Sequence, residues 1–327
     1  MKAAIIGAGP SGFFVAGEIL KRCPGCEVHL FERRIAPFGL VRFGVAPDHQ
    51  HTRRAAKILD QIAEHARFHY HGNVEVGRDV TWDELAASFH AVVLCTGAEQ
   101  PQRPELPGGR LRGAADALDF SRWTNGEAEA FDRGWLDGVE TAVIIGNGNV
   151  ALDAARMLAR PAADWVSTDI AVQAMEALAH HRVRRIVIAG RRGPGEASFT
   201  EAELSEVVNL AGWDVHANDA LPFDLKPEGR GSDRHLEFLF HHRPACLLGG
   251  DRVVGVRFSH TVDGGTLEVP AQLVLFATGH RGVKIEGLPF DQTRGVIPNQ
   301  AGRVKGRAGF YVCGWIKRGA KGLIGQN

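Results

Sequence analysis

The feature that most constrains this chain is a glycine pattern that occurs twice, each time directly after an apolar run. The two copies are Gly7-x-Gly9-x-x-Gly12 in "IIGAGPSG" and Gly146-x-Gly148-x-x-Ala151 in "IIGNGNVALDAAR". In such a loop the first glycine permits a tight turn, the second lets a pyrophosphate approach bare backbone, and the third position lets the helix pack on the strand. Each copy therefore predicts the phosphate-binding turn of a dinucleotide fold, where free helix N–H groups face the anion.

The runs around these loops predict two βαβ units. The first consists of "AAIIG", "SGFFVAGEILKR" and "EVHLFE", and the second of "TAVIIG", "NVALDAARMLAR" and "RRIVIAG". "HTRRAAKILDQIAEHARF" predicts an amphipathic helix, "NVEVG" a strand, and the runs from about residue 234 a β-rich addition. The sequence thus predicts an α/β protein with two doubly wound Rossmann-like dinucleotide-binding domains.

The domain order is predicted from two strand ends that carry Thr-Gly, "LCTGAEQP" (94–101) and "FATGHRG" (276–282). These are the points where we expect the chain to leave the first domain and to return to it. The expected domains are 1–104 for the first part of one domain, 105–285 for the second domain inserted into it, and 286–327 for the return segment.

The residues that end the second strand of each unit differ in charge. Glu32 lies twenty residues past Gly12, where a carboxylate can accept hydrogen bonds from ribose hydroxyls. The corresponding strand of the second unit leads into Arg191 and Arg192, whose guanidinium groups suit a ribose 2′-phosphate. The alternative for these arginines is an ordinary solvated turn. A protein with two dinucleotide folds needs two dinucleotides, and FAD with NADP is the simplest pair because hydride moves readily between flavin and nicotinamide.

Composition excludes several other classes of protein. The formal net charge is zero, which gives no general attraction to nucleic acid or to an anionic membrane. No run approaches the ~18–20 apolar residues of a membrane span, and five cysteines without framework spacing predict a reducing, cytoplasmic environment. Residues 292–327 nevertheless contain seven Lys or Arg and no Asp or Glu, so an acidic partner is expected there.

Several longer stretches carry a family resemblance. "GAGPSGFF", "GLVRFGVAPDH", "IGNGNVALD", "GRRGP", "FTEAEL" and the closing "GWIKRG" stand in the same order as in the adrenodoxin reductase-like ferredoxin–NADP⁺ reductases. The chain resembles this family, which belongs to the glutathione-reductase-like flavoproteins, from Gly7 to Asn327. The resemblance implies that FAD occupies the first domain and NADP the inserted one. It also implies that hydride passes from NADPH to FAD and that FAD then passes single electrons to a ferredoxin or flavodoxin. We expect this acceptor to be acidic.

The resemblance also implies roles for individual residues. The expected FAD contacts are Ser11, Glu32, Leu40, Val76, Trp315, Gly322, Leu323 and Ile324, besides the glycines of the first loop. The expected NADP contacts are Asn149, Val150, Ala151, Leu152, Arg191, Arg192 and Glu203. His49 and Glu206 match a pair near the redox centre. The chain departs from the family at Lys321, which adds a charge near the expected flavin.

No metal site is expected from the sequence. Cys23 and Cys26 form a Cys-x-x-Cys pattern, but they flank a Pro-Gly turn, so a turn that happens to contain cysteines is preferred to a redox dithiol. Among the fifteen histidines, the pairs His69/His71, His180/His181 and His241/His242 lack the i, i+4 spacing on a helix with a nearby carboxylate that a zinc hydrolase would use.

Two other functions stay open at this stage. One is an NADPH-dependent flavoprotein subunit that supplies electrons to a larger, glutamate-synthase-like enzyme. The other is a nucleotide-binding module that senses NADP(H) without turnover. Because family members continue beyond the point matching Asn327, we also expect a truncated form, or a short form with a weakened flavin site and a poorly held 317–327 loop. A monomer is expected, although nothing in the sequence establishes the oligomeric state.

Overall fold

The computed structural model describes residues 1–127, 133–227, 229 and 231–322. The strands are β1 Lys2–Ile6, β2 Glu27–Glu32, β3 Phe68–Gly72, β4 Ala91–Leu94, β5 Gln100–Pro101, β6 Ala114–Asp116, β7 Thr141–Ile145, β8 Arg185–Ala189, β9 Asp214–Ala217, β10 His235–Leu239, β11 His242–Gly249, β12 Val253–His260, β13 Thr266–Pro270, β14 Leu273–Phe276, β15 His280–Arg281, β16 Asn299–Gln300, β17 Arg303–Val304 and β18 Phe310–Val312. The helices are α1 Pro10–Arg22, α2 Leu40–Phe43, α3 Gln50–Arg53, α4 Ala55–Ala63, α5 Trp82–Ser88, α6 Ala117–Thr124, α7 Asn149–Ala159, α8 Val172–His180, α9 Glu201–Val208 and α10 Trp315–Arg318.

The chain forms two compact units, and the second is inserted between two parts of the first. Unit 1 comprises Met1–Val45, His49–Gln102 and Gly279–Asn327, and unit 2 comprises Ala46–Asp48 and Arg103–Thr278. The α/β architecture with two doubly wound Rossmann-like domains is therefore as the sequence predicts. The boundaries 1–104, 105–285 and 286–327 stay a prediction.

Unit 1 is built on a sheet with the strand order β16-β17-β18-β4-β1-β2-β3. The five strands from β18 to β3 run parallel, and β1 pairs with β2 on one side and β4 on the other. The chain moves outward from β1 to β2 and β3, then crosses back to β4. Such a reversal of strand order opens a crevice at the carboxyl ends of the two central strands, where open α/β sheets bind ligands.

Unit 2 repeats this plan with the order β6-β14-β7-β8-β10-β9, all parallel. Its reversal lies between β7 and β14. Alternate residues of the central strands enter different cores because successive side chains of a strand face opposite sides. Ile144, Ile186 and Leu275 pack in the core that contains the residues of α6, α7 and α9. Val143 and Val274 pack in the core formed with the antiparallel sheet β11-β12-β13.

Three expectations about local structure were wrong. The helix expected over 51–68 consists of two helices, α3 and α4, and the third strand is Phe68–Gly72 rather than "NVEVG". Asn73 has a φ of 57°, which turns the chain out of the sheet before Val74, and Val76 forms only an isolated bridge with Val80. β10, expected in the β-rich addition, lies between β8 and β9 in the parallel sheet.

Among the residues described, no helix combines the length and apolar character that crossing a membrane requires.

Candidate dinucleotide sites

The first glycine loop is packed so tightly that two of its positions admit no side chain. Gly7 has a φ of 105°, and a Cβ on it would lie 2.6 Å from the carbonyl oxygen of Cys95 at the end of β4. A Cβ on Gly12 would overlap the carbonyl oxygen of Gly7. The turn and the helix–strand contact therefore both require glycine, as the spacing predicts.

Gly9, between them, is different. Its φ of −76° suits any residue, and no described atom lies within 4 Å of the position of a Cβ built on it. Gly9 is also the N-cap of α1, and within the part of the chain that the structure describes no side chain caps this helix and no acid lies in its first turn. The glycine thus leaves open space in front of the positive end of α1, which fits an approaching phosphate.

Other segments of unit 1 converge on this loop. The Phe38 N–H donates to the Ala8 carbonyl over 2.8 Å, and a Cβ on Gly39, whose φ is 49°, would lie 2.9 Å from the Gly9 Cα. A Cβ on Gly314 would overlap the Ser11 hydroxyl. Ser11 is thereby placed beside the loop between β18 and α10, near the first turn of α1.

Glu32 is fixed at the end of β2. Its Oε2 accepts the Ala8 N–H over 2.8 Å, and its Oε1 accepts the Arg34 N–H over 3.0 Å. An ionised carboxylate offers about four acceptor positions. Glu32 therefore keeps acceptor capacity for ribose hydroxyls while it closes the glycine loop.

The second glycine loop reproduces the first in detail. Gly146 has a φ of 140°, and a Cβ on it would overlap the carbonyl oxygen of Ala277 at the end of β14. Its N–H donates to Ala189 over 2.8 Å, as the Gly7 N–H donates to Phe31 over 2.8 Å. Both loops thus stand at the strand-order reversal of their own sheets.

Strand register identifies the residue of unit 2 that is equivalent to Glu32. Ile6 pairs with Phe31 in unit 1, and Ile145 pairs with Ala189 in unit 2, so Glu32 corresponds to Gly190. A Cβ on Gly190 would overlap the Asn147 amide, which occupies the space that a carboxylate would need. Both polar atoms of this amide are buried and have no hydrogen-bond partner among the described residues. Asn147 and Gly190 were not predicted from the sequence, because their equivalence to unit 1 requires the strand register.

Arg191 and Arg192 follow Gly190 directly, and both are exposed. The Thr261 hydroxyl donates to the Arg191 carbonyl over 3.1 Å, which holds the backbone of the turn. The Arg192 Nε lies 3.8 Å from Glu196 in a pair of which both members are more than half exposed. Such an exposed pair contributes little energy, so the Arg192 guanidinium is available to bind a phosphate.

The second fingerprint helix, α7, begins at Asn149 with Gly148 as its N-cap. No described side chain caps it, whereas the Thr200 hydroxyl caps the neighbouring α9. The Asn149 Oδ1 instead accepts the Thr200 N–H over 2.9 Å. Ala151 and Leu152 are fully buried and donate their N–H groups to Gly148, and Val150 packs against the same core. Any ligand contact in this turn would therefore be made by backbone rather than by these apolar side chains.

Glu203 and Glu206 lie in an ion cluster of unit 2 centred on Arg156, which is fully buried. Arg156 contacts four carboxylates over 2.8 to 3.3 Å, those of Asp48, Asp153, Glu203 and Glu206. Burial lowers the pKa of Arg156, but the hydrogen bond to Asp48 and the surrounding negative charges outweigh it and raise the pKa. The NADP-contacting role of Glu203 and the catalytic role of Glu206 stay predictions.

The remaining predicted residues all belong to unit 1. Leu40 begins α2, His49 is the N-cap of α3, and Val76 packs against a core that contains Trp82. The Trp315 indole N–H donates to the Gly322 carbonyl over 3.2 Å. Leu323 and Ile324 lie outside the described residues. The FAD contacts and the catalytic role of His49 stay predictions.

Two cysteines meet at the crevice of unit 1. Leu94 pairs with Val312, so Cys95 and Cys313 are the next residues along two neighbouring strands. A hydrogen bond from Cys95, with the Gly314 N–H and the Lys317 charge, lowers the pKa of Cys313 to about 6, against burial, which raises it. The same bond and burial raise the pKa of Cys95. None of the five cysteines of the chain forms a disulfide.

Two Rossmann-type units, each with a phosphate-binding turn at its strand-order reversal, define the class of oxidoreductases that bind two dinucleotides. Comparison with known proteins agrees. Residues 1–189 match the family described as pyridine nucleotide-disulphide oxidoreductase. The chain is 38% identical to a probable ferredoxin/ferredoxin–NADP reductase of Mycobacterium leprae over 100% of its own length, and spans 64% of that relative's length.

Two further comparisons identify the branch of the family to which the chain belongs. The chain is 38% identical to the mitochondrial NADPH:adrenodoxin oxidoreductase of Salvelinus fontinalis, covering 99% of this chain and 74% of that protein. The structure of Mycobacterium tuberculosis FprA in complex with NADPH matches with a TM-score of 0.92 and 37% identity, over 100% of this chain and 81% of that one. The chain belongs to the pyridine nucleotide-disulphide oxidoreductase family and, within it, to the adrenodoxin reductase-like ferredoxin–NADP⁺ reductases.

Proposed function

We propose that this chain is a flavoprotein oxidoreductase, a ferredoxin–NADP⁺ reductase that takes hydride from NADPH through FAD and delivers single electrons to a ferredoxin or flavodoxin. The observation that carries the proposal is the contrast between the two units at equivalent positions. Unit 1 has Glu32, an acceptor for ribose hydroxyls, and unit 2 has Gly190 followed by two exposed arginines. The relatives named for ferredoxin, adrenodoxin and NADPH support it.

The residues of unit 1 fit FAD. Gly9 and the uncapped start of α1 would receive the diphosphate, since bare backbone and a positive helix end stabilise a phosphate. Glu32 would accept the adenosine ribose hydroxyls, with Ser11 beside the same loop. FAD would supply the ability to accept a hydride and to release electrons one at a time.

The residues of unit 2 fit NADP rather than NAD. A carboxylate at position 190 would repel a 2′-phosphate, and glycine removes it. Arg191 and Arg192 would bind the 2′-phosphate, and the start of α7 would receive the pyrophosphate. The unpaired Asn147 amide lies at the same turn and offers donors to a phosphate or ribose oxygen.

The acceptor is proposed to be a small acidic protein, because residues 292–327 contain seven basic residues and no acidic one. His49 and Glu206 are proposed to tune the redox step without being essential, since hydride transfer needs alignment rather than a proton from the protein. We further propose a monomer in the cytoplasm. None of the five cysteines forms a disulfide, which fits a reducing compartment, and three of the relatives are named as mitochondrial.

Replacement of both Arg191 and Arg192 by alanine tests the coenzyme assignment. Each charge-assisted contact is worth ~1.5–3 kcal/mol, so the ratio of kcat/KM for NADPH to that for NADH should fall at least about tenfold. Arg182→Ala, another exposed arginine of unit 2, is the matched control and should leave the ratio unchanged. An unchanged ratio in the double variant would refute the assignment. A purified protein without flavin absorbance would favour a non-catalytic nucleotide-binding module.

A further inference from the structure

Three histidines gather on one face of unit 1, at the edge of its sheet. β3 is the edge strand and pairs with β2, so that His29 stands opposite His69 and Phe31 opposite His71. Alternate residues of a strand share a face, so Glu27 lies on the same side as His29. The face forms from segments about forty residues apart, which is why no spacing in the sequence indicates it.

The side chains of Glu27, His29 and His69 are close enough to share an ion. Each offers one ligand atom, and these atoms all lie within 4.8 Å of one another. The Glu27 Oε2 is 3.8 Å from the His29 Nε2, and the rings of His29 and His69 stack with centroids 4.5 Å apart. Two imidazoles and a carboxylate are a ligand set that Zn²⁺ and similar transition metals accept.

We propose that Glu27, His29 and His69 bind one divalent transition-metal ion of the Zn²⁺ type, with water completing the coordination. Ligand atoms around a tetrahedral zinc stand roughly 3.3 Å apart, given bonds of ~2.0–2.1 Å. The present separations are somewhat longer, so the side chains must close around the ion. The Glu27 side chain is 46% exposed and His69 is exposed, so both can move by rotation without disturbing the core.

The surroundings of His29 favour this role. Its Nε2 is buried and has no hydrogen-bond partner within the part of the chain that the structure describes. Its Nδ1 lies 3.0 Å from the His71 Nε2. With the Nε2 lone pair on the ion, the Nδ1–H would donate to His71, the outer contact that usually fixes a metal-binding histidine.

One neighbour opposes metal binding. The Lys2 ammonium lies 3.4 Å from the same Glu27 Oε2 that faces His29. It competes for the carboxylate and repels a cation. Neutralising Lys2 should therefore tighten metal binding, a result that a nonspecific surface histidine would not produce.

The test is Zn²⁺ binding by the flavin-loaded protein without a polyhistidine tag, measured by competition with a chromogenic chelator. We expect one ion per chain at this site. Glu27→Gln and His69→Gln should each weaken binding at least about tenfold, the size seen even for loss of an outer-shell partner. Lys2→Gln should strengthen it. Both ligand positions are at least partly exposed, so these variants should fold, and thermal unfolding with a chelator present checks this.

His180→Gln is the matched control, because His180 is exposed on α8 and its Nδ1 lies 2.7 Å from the carbonyl of Glu176. It should leave Zn²⁺ affinity unchanged. The visible absorption of bound Co²⁺ should be lost in His69→Gln and kept in His180→Gln. The proposal is overturned if the wild-type chain binds no Zn²⁺, or if Glu27→Gln and His69→Gln keep the wild-type affinity.

Discussion

Single residues in this chain have chemistry that depends on their strand neighbours. Cys313 is the clearest case, since its lowered pKa follows from the thiol of Cys95 on the adjacent strand. The thiolate is the nucleophile, so alkylation should follow the thiolate fraction. With a pKa of about 6, the rate of Cys313 labelling by iodoacetamide should rise between pH 5 and 7 and then level off. Peptide mapping of the flavin-free protein measures the labelling rate of Cys313 at each pH.

The Cys95→Ala variant is the control for that profile. Without the donated hydrogen bond, the pKa of Cys313 should move back toward its ordinary value of 9.0, so the rate should still be rising above pH 8. A wild-type rate that begins to rise only above pH 8 would contradict the prediction.

The same dependence on neighbours limits what the sequence predicts about the site. Gly7, Gly12 and Glu32 could be identified because their roles are local to one βαβ unit. Asn147 and Gly190 could not, because their relation to Glu32 requires the registers of two sheets. The cluster around Arg156 draws residues from three separate segments of the chain, and no sequence pattern joins them.

Among the elements, the glycine loop of unit 1 assigns packing and phosphate binding to different glycines. Gly12 is needed for packing, whereas Gly9 has a φ of −76° and open space. Gly9→Ala should therefore keep the melting temperature of the flavin-free protein within about 2 °C and yet lose FAD on dialysis, because a methyl group would stand where the diphosphate approaches.

Gly12→Ala is the contrasting variant. Its Cβ would overlap the Gly7 carbonyl oxygen, so the flavin-free protein itself should be destabilised. Stoichiometric FAD retained by Gly9→Ala through prolonged dialysis would show that the diphosphate does not lie against this glycine.

A buried charge joins α7 to α9, because Arg156 of α7 contacts Glu203 and Glu206 of α9. Arg156→Met would remove the buried cation that contacts four carboxylates, of which Asp48 also lies 3.3 Å from Arg160, and should cost about 3–5 kcal/mol in the free energy of unfolding. Urea unfolding at pH 7 measures the loss. The deficit should shrink as pH falls toward 4, since protonation of the carboxylates removes the repulsion that the lost cation leaves.

Arg257→Met is a matched control for that experiment. Its pair with Glu268 is about half exposed on both sides, so solvent screens it and its loss should change the free energy of unfolding much less than the loss of Arg156 does. Equal losses in the two variants would mean that the buried cluster has no special weight in stability.

Elements were predicted from the sequence where periodicity and glycine position agree. β1, α1, β2, β7, α7 and β8 lie where the two fingerprints place them. β3 and β10 were misplaced, because a positive φ at Asn73 and the pairing of a strand depend on tertiary context. The insertion of one unit into the other was predicted from the two similar Thr-Gly strand ends, at 94–101 and 276–282.

For the whole molecule, zero net charge conceals an uneven distribution that should govern partner binding. In the described part of the basic segment, Arg303, Lys305 and Arg318 are exposed. If an acidic acceptor docks there, its reduction should slow with added salt far more than reduction of a small neutral dye, because screening weakens charge-steered association.

Lys305→Glu should slow acceptor reduction at low salt and reduce its salt sensitivity. Lys57→Glu makes the same charge change on α4 and should have little effect. Equal salt dependence for protein acceptor and dye would argue against docking at this segment.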